Sequence, residues 1–438
     1  MDFHPEQVFA ALLRVLMVLF LSTSLSGCGP GESPTAVTAS DGNGPGVSPG
    51  TEGETNGAQD SAPNGTVPVG QLADLNGDVT DLALHPDGDI LVAGSFTTYG
   101  GQPVPHVIKL RPDGSLASWT LGVTLLNDLP VETAVAQDGK VWITQRQASA
   151  AKLWRVNANG ILDSGFPPVE FVFDEPGNGA LIFSEVFQLE PTGNGVYAAG
   201  TFTKVNGESR RGIVRILETG QVDNGFNAEI RSGYRVALSA DGTIYVTNYE
   251  RLDVSVAGSQ ILYRLDSNGS RVSAFTPVNV FTVGFNARIF ALAHVGDGTN
   301  DVLNGGRFVL DYSGSVNPLF DPTAIHNLAR INPDGSRDRE QPRPRLGTDS
   351  RDTPEVLAIA KTVDGSGDFL LTAGGVRRFH ADGNAAVGFQ VGQVNEFARA
   401  DKLLCLADGD TIVGGTFTSY NGTSRGHIVR INRDGSLE

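Results

Sequence analysis

"TFTSYNGTSRGHIVRINRDGSLE", residues Thr416 to Glu438, repeats almost word for word a stretch near the start of the chain, "SFTTYGGQPVPHVIKLRPDGSL" from Ser95 to Leu116. The first copy runs on into "ASWTLG", whereas the last stops three residues after its turn glycine. Each copy holds a basic residue flanked by aliphatics, with a glycine five positions later. The same pair recurs in register: Lys109 and Gly114, Arg155 and Gly160, Arg215 and Gly220, Arg264 and Gly269, Arg330 and Gly335, Arg378 and Gly383, Arg430 and Gly435. This is a short strand running into a tight turn, where glycine supplies a positive φ. A second turn opens every unit, at Gly88, Gly139, Gly195, Gly242, Gly298, Gly365 and Gly409, with apolar runs on both sides, as in "LALHPDGDILVAG".

Each unit therefore reads as strand, turn, strand, loop, strand, turn, strand. A single four-stranded meander has two apolar faces and cannot bury both, but several packed around an axis can. The sequence predicts an all-β fold, a seven-bladed β-propeller of four-stranded antiparallel blades spanning residues 66–438.

The last unit lacks room for its own fourth strand. Asn64 and Gly65 form a turn-like pair, and Gly65 precedes Gly88 by a spacing like those of complete units. Thr66 to Leu72 are thus expected to pair with Ile428 to Ile431 and close the ring, hiding an otherwise open strand edge. Pro68 is compatible with an outer edge strand.

"GGTFTSYNGTSRGHIVRINRDGSL", "AGTFTKVNGESRRGIVRILETGQV" and "AGSFTTYGGQPVPHVIKLRPDGSL" resemble the delta-60 repeat, a bacterial β-propeller family. The resemblance is strong in units one, three and seven and degenerate in the others. It implies an exported bacterial propeller and carries no agreed activity and no catalytic residues.

The amino terminus reads as a targeting segment. "VLMVLFL", Val15 to Leu21, follows Arg14, is too short to span a bilayer, and leads into "LSGC", Leu25 to Cys28. This resembles a bacterial lipoprotein signal, which implies removal of residues 1–27, lipid attachment at Cys28 and, with Gly29 after it, the outer membrane or cell surface. Residues 28–65 are rich in Gly, Pro, Ser and Thr, without aromatic, Lys or Arg side chains. Such a segment buries too little apolar surface to order itself, so it is expected to be a disordered tether of roughly 35 Å.

Composition narrows the partners. The net charge of −17 repels a phosphate backbone, so nucleic acid is not an expected partner. Only Cys28 and Cys405 are present, and Cys405 lies in the apolar run "LLCLA", where it reads as a buried free thiol. The histidines are scattered without metal-ligand spacing, and neither a metal, a cofactor nor a catalytic residue is expected.

Several stretches imitate sites. "GTSRGH", with Ser424 and His427, fits the G-x-S-x-G pattern but occupies the loop between second and third strands, not a strand-to-helix elbow. "DLNGDVT" begins like a calcium loop but has Val79 where glycine is required and His85 at the closing acidic position. "DGTND", Asp297 to Asp301, could hold a cation or be a solvated turn. The seven basic residues stand on the third strand from the axis, too far apart to converge on an anion, so a carboxylate or carbonyl partner along neighbouring blades is expected.

The spacing from the first-turn glycine to the basic residue ranges from 13 to 32, while the second turn keeps its length. Length variation is thus confined to one face, where a ligand is expected. Two functions fit: a monomeric, non-catalytic surface protein binding a protein or glycan, or an exported polysaccharide hydrolase or lyase using the axis. The enzyme would need convergent Asp, Glu, His or Tyr from the first strands. Units one and five offer little there beyond "VTDLAL" and "IFALAH". Perturbed carboxylates clustered with a tyrosine at the axis would favour the enzyme.

Overall fold

A computed structural model describes residues 71–126, 129, 131–147, 150–174, 183–239, 241–248, 262–276, 280–281, 288–310, 325–338 and 354–438. Cys28, the signal segment, the tether and Thr66 to Gly70 lie outside these, as do the long excursions 311–324 and 339–353 of units five and six. Every regular element among the described residues is a β-strand.

The strands form antiparallel three-stranded meanders, each inner strand pairing with a middle strand and that with an outer one. The first is Val79–Leu84, Ile90–Gly94 and Val107–Leu110; the second is Val131–Val135, Val141–Arg146 and Ala151–Val156. Glu185–Thr192, Gly195–Thr201 and Arg211–Leu217 follow, then Val236–Leu238, Ile244–Thr247 and Leu262–Leu265. Arg288–His294, Val302–Leu310 and Ile325–Ile331 precede Ala358–Lys361, Phe369–Thr372 and Val376–Phe379, and the last is Ala400–Cys405, Thr411–Gly415 and Ile428–Ile431.

The fourth strand is shorter than the apolar pattern suggests. After each second turn the chain makes one bridge back to the outer strand, at Leu110 with Leu116, Val156 with Leu162, Ile216 with Val222, Leu265 with Arg271, Ile331 with Arg337, Phe379 with Ala385 and Ile431 with Leu437. A further turn then interrupts it. Gly165 and Gly225 donate their amides to Asp163 and Asp223, and the following Phe166 and Phe226 drop into the core, 2% and 0% exposed. Burying a phenylalanine contributes about 1.5–3 kcal/mol, against about 0.5–1.5 kcal/mol for each ladder bond forgone. Among the described residues the second unit regains a fourth antiparallel strand, Val169–Val172, while in the third unit Glu229–Ser232 pairs in parallel with Arg211–Leu217.

Apolar side chains on both faces of each sheet explain why no unit stands alone. Each core cluster straddles two successive units. Leu91 and Val107 pack with Val131 and Val141, Trp142 and Leu153 with Val196 and Val214, Ala199 and Ile213 with Val246 and Leu265. Tyr245 packs with Val302, Leu328 with Leu371, Leu370 with Val413, and Ile412 and Ile428 with Val79 and Ile90 of the first unit. The inner strands follow the same circuit, each packing on the next, and Ala400–Cys405 packs back on Val79–Leu84.

Residues 71–75 sit at the junction of the last and first units. Leu72, Ala73 and Leu75 join the core there. The Leu75 amide donates to the Gly426 carbonyl at 3.0 Å, and the Gly426 amide to Asp74 Oδ1 at 2.7 Å. Leu75 bridges Tyr99 as Val394 bridges Tyr420 and as Phe171 pairs with Val205. In the latter two cases the first residue belongs to the outer segment of one unit and the second to the hairpin of the next. The expected pairing of Thr66 to Leu72 with Ile428 to Ile431 falls on residues that, apart from Gln71 and Leu72, lie outside the described ones. Leu437 already bridges Ile431, and the amino-terminal contact lies farther along, at Gly426 and at Glu438, whose carbonyl accepts a bond from Gln71 at 3.3 Å.

Candidate functional site

One position of the repeat brings polar side chains to the inner strands. Seven residues before the first-turn glycines stand Asp81, Glu132, Gln188, Arg235, Ala291, Ala358 and Lys402. The ladder fixes their equivalence: Asp81 opposes Ala93, Glu132 Thr144, Gln188 Ala199, Ala291 Gly305, Ala358 Thr372 and Lys402 Gly414. In units one, three, five and seven a bulge immediately precedes this position, opposite alanine or glycine. At Gly414 an added Cβ would meet Val79 Cγ1 at 2.5 Å, so the last unit needs glycine to approach the first.

These side chains join units. Lys402 Nζ lies 3.2 Å from Asp81 Oδ1 and 3.2 Å from Glu132 Oε2, reaching from the seventh unit to the first and second. Asp81 Oδ2 also accepts from the Thr133 amide at 2.8 Å and hydroxyl at 2.7 Å. Arg235 donates to the Phe290 carbonyl at 2.8 Å and the Phe187 carbonyl at 2.7 Å, tying the fourth unit to the fifth and third. Its guanidinium also sits 4.2 Å from the Tyr234 ring centroid. Gln188 exchanges two bonds with the Val236 backbone and donates to Glu190 Oε2 at 3.1 Å.

The aligned positions hold two carboxylates, Asp81 and Glu132, and two cations, Arg235 and Lys402, and Glu185, Glu190 and Asp401 add carboxylates on the same inner strands. Burial drives the Glu132 carboxyl up to about 7, with the Asp81 charge adding to it and Lys402 opposing. Burial likewise pushes Glu190 up to about 7 against its bond from Gln188. It also raises Glu185 and Asp401. For Lys402, burial is outweighed by the Asp81 and Glu132 charges, so its ammonium is held more firmly than usual. Glu132 and Glu190 can exchange protons near neutral pH, while Lys402 and Arg235 hold adjacent sheets together.

The seven outer-strand basic residues each meet carboxylates. Lys109 pairs with Asp87 and with Asp89 at 3.3 Å, Arg155 with Asp163 at 2.8 Å and Arg215 with Asp223. Arg264 lies 3.8 Å from Asp241, Arg330 2.6 Å from both Asp297 and Asp301, and Arg378 2.8 Å from both Asp364 and Asp368. Arg430 reaches Asp408 at 2.6 Å, Asp410 at 2.9 Å and Glu438 at 3.0 Å. Four also contact the second turn of the next unit, always three residues past that unit's own basic residue. Arg155 pairs with Glu218, Arg264 donates to the Pro333 carbonyl, Arg378 to that of Arg433, and Arg430 to that of Pro112 in the first unit. The glycines five residues on have φ values from 77° at Gly220 to 88° at Gly269 and Gly335, with Gly114, Gly160, Gly383 and Gly435 between.

The imitating stretches are committed to structure. Arg330 occupies the carboxylates of "DGTND". In "DLNGDVT", Asp74 caps the Gly426 amide and Asn76 accepts from the Thr97 and Thr98 amides. Ser424 belongs to a hairpin strand, Thr423–Ser424, while His427 lies 3.3 Å from Asp78. Cys405 is a free, buried thiol. Among the described residues no group of three or more metal-ligating side chains is assembled.

The inner ring is what sequence reading overlooked. "VTDLAL" contains Asp81, its principal anion, yet one aspartate in an apolar strand looks unremarkable. The signal emerges only when all units are aligned on the first-turn glycine and the column seven positions earlier is read.

Meanders packed face to face in sequence, with polar side chains where their inner strands meet, define the β-propeller class. Three segments, 85–116, 194–226 and 406–438, match the family model "Domain of unknown function (DUF5122) beta-propeller", which supports a β-propeller family for this chain. No curated protein matches it. Among solved structures, "YCF48 bound to D1 peptide" is 13% identical over 83% of this chain and 95% of its own, with a TM-score of 0.42. YCF48 from Cyanidioschyzon merolae is 12% identical over 83% and 98%, also at 0.42. The structure of the Dos1 propeller is 10% identical over 84% and 85%, at 0.44.

Proposed function

We propose that this is a non-catalytic binding protein: a seven-bladed propeller of delta-60 repeats, lipid-anchored through Cys28 to the outer membrane or cell surface. Residues 28–65 tether it, and a monomeric disc presents its variable-loop face to a protein or glycan partner. The observation that carries the reading is the fate of the inner polar groups. Lys402, Arg235 and Gln188 all spend their hydrogen-bonding capacity on neighbouring units, as a frame does rather than a reaction centre. The blade count is supported by the circuit of inner strands and by Arg430 reaching Pro112. Closure by the amino-terminal segment is supported by Leu75 standing to Tyr99 as Val394 stands to Tyr420.

A specific observation favours a second reading, an exported polysaccharide hydrolase or lyase. Burial holds Glu132 and Glu190 both at about 7, a value suited to a general acid, with Arg235 acting on Glu132 and lying over the Tyr234 ring. Glycan-array binding together with turnover of a polysaccharide panel separates the two. Binding without turnover is expected, and turnover abolished by Glu132→Gln and Glu190→Gln would replace the first reading with the second. Cys28→Ser should release the protein from the detergent phase; unchanged partitioning would remove the lipid anchor.

A further inference from the structure

The inner strands set Asp81 and Glu132 each 3.2 Å from one ammonium, Lys402, and hold Glu190, bonded by Gln188, where the Asp81 charge acts on it. The Asp81 and Glu132 side chains are each 13% exposed and that of Lys402 21%. Among the described residues the other cation acting on Glu132 is Arg235, whose guanidinium is engaged by two carbonyls. Confined like charges in excess over their counter-charge are relieved by taking up a proton. We propose that this ring is a proton-operated latch on the junction of the seventh, first and second units, tight when protonated and looser when fully ionised.

The groups around it are few. From Val79–Leu84 comes Asp81, from Glu185–Thr192 come Glu190 and Glu185, and Arg235 precedes Val236–Leu238. Ala400–Cys405 contributes Lys402 and Asp401. Ile90–Gly94 carries no charge, and Arg146 of Val141–Arg146 acts on Glu185 instead. The direction follows from linkage. Glu132 and Glu190 have ordinary values of 4.5 and folded values of about 7, so folding favours their protonated forms. Their stabilisation is complete below 4.5 and is lost as pH rises through 7. Lys402 stays charged throughout and keeps hold of Asp81, so the latch loosens without letting go.

The test is thermal unfolding of the full chain at fixed ionic strength from pH 5 to 9, with Glu132→Gln, Glu190→Gln and the double variant. Glutamine imitates the protonated carboxyl. Between pH 6 and 8.5 the wild-type midpoint should fall by about 4 °C, each single variant by about half as much, and the double variant little. Equal slopes in all four would overturn the latch. Should a variant fail to fold, carbon-13 carboxyl titration of Glu132 in the wild type decides alone. A midpoint near 7 supports the latch, and one near 4.5 overturns it.

Discussion

Replacing Arg430 with methionine removes the side chain that binds most groups at the seam. Arg430 is 10% exposed at its side chain and faces Asp408, Asp410 and Glu438, of which Asp410 is 17% exposed. Methionine fills similar space but leaves Asp410 without a cation and the Pro112 carbonyl without its donor. Breaking a buried pair costs about 3–5 kcal/mol, and the lower end applies because Asp408, at 52% exposure, can turn to water. Unfolding entropy of about 2 cal/mol/K per residue over a domain of this size converts about 3 kcal/mol into a melting shift of about 4 °C. Arg264→Met is the comparison: it too leaves a carbonyl, that of Pro333, without its donor, but its carboxylate partner lies 3.8 Å away and is 41% exposed, so the loss should be about 1 kcal/mol. Scanning calorimetry of both variants measures the difference, and adding Asp410→Asn to the first should recover part of it. Equal losses in the two single variants would refute the reasoning.

Gly160→Ala should destabilise by several kcal/mol. Its φ is +85° and an added Cβ would lie 2.2 Å from the Thr120 carbonyl oxygen. Gly88→Ala meets nothing within 4 Å and should cost only the left-handed penalty of about 1–2 kcal/mol. Urea titration checks the order. Cys405, whose thiol is raised by burial, should resist alkylation in the folded protein and react at once in denaturant, as mass spectrometry would record. Rapid labelling without denaturant would contradict its burial.

The repeat was legible because it is written in residues that dictate backbone geometry. A glycine five positions after a basic residue keeps its register whatever the loops do, and the φ values of those glycines follow from it. The fourth strand misled for a physical reason. Its apolar residues read as a strand, but "DSGF" and "DNGF" encode a turn whose purpose is to deliver Phe166 and Phe226 between units. The contact between residues 71–75 and the last unit was not legible for a related reason. Spacing located Gly65 as a turn, but which residues touch depends on Asp74 finding the Gly426 amide, a contact between distant segments with no local signature. The inner ring was hidden more deeply. Asp81, Glu132, Arg235 and Lys402 differ in charge, and their meaning appears only when the circuit sets opposite charges side by side.

Hydrogen exchange at the Leu75 and Gly426 amides tests the closed seven-unit ring most directly. Both donate bonds that join residues 71–75 to the last unit. If those residues close the ring, the two amides exchange together with Ile428 to Ile431, at the slow rate of global unfolding. If the Leu75 amide exchanges as in an unstructured peptide while Ile428 to Ile431 stay protected, the ring is not closed there.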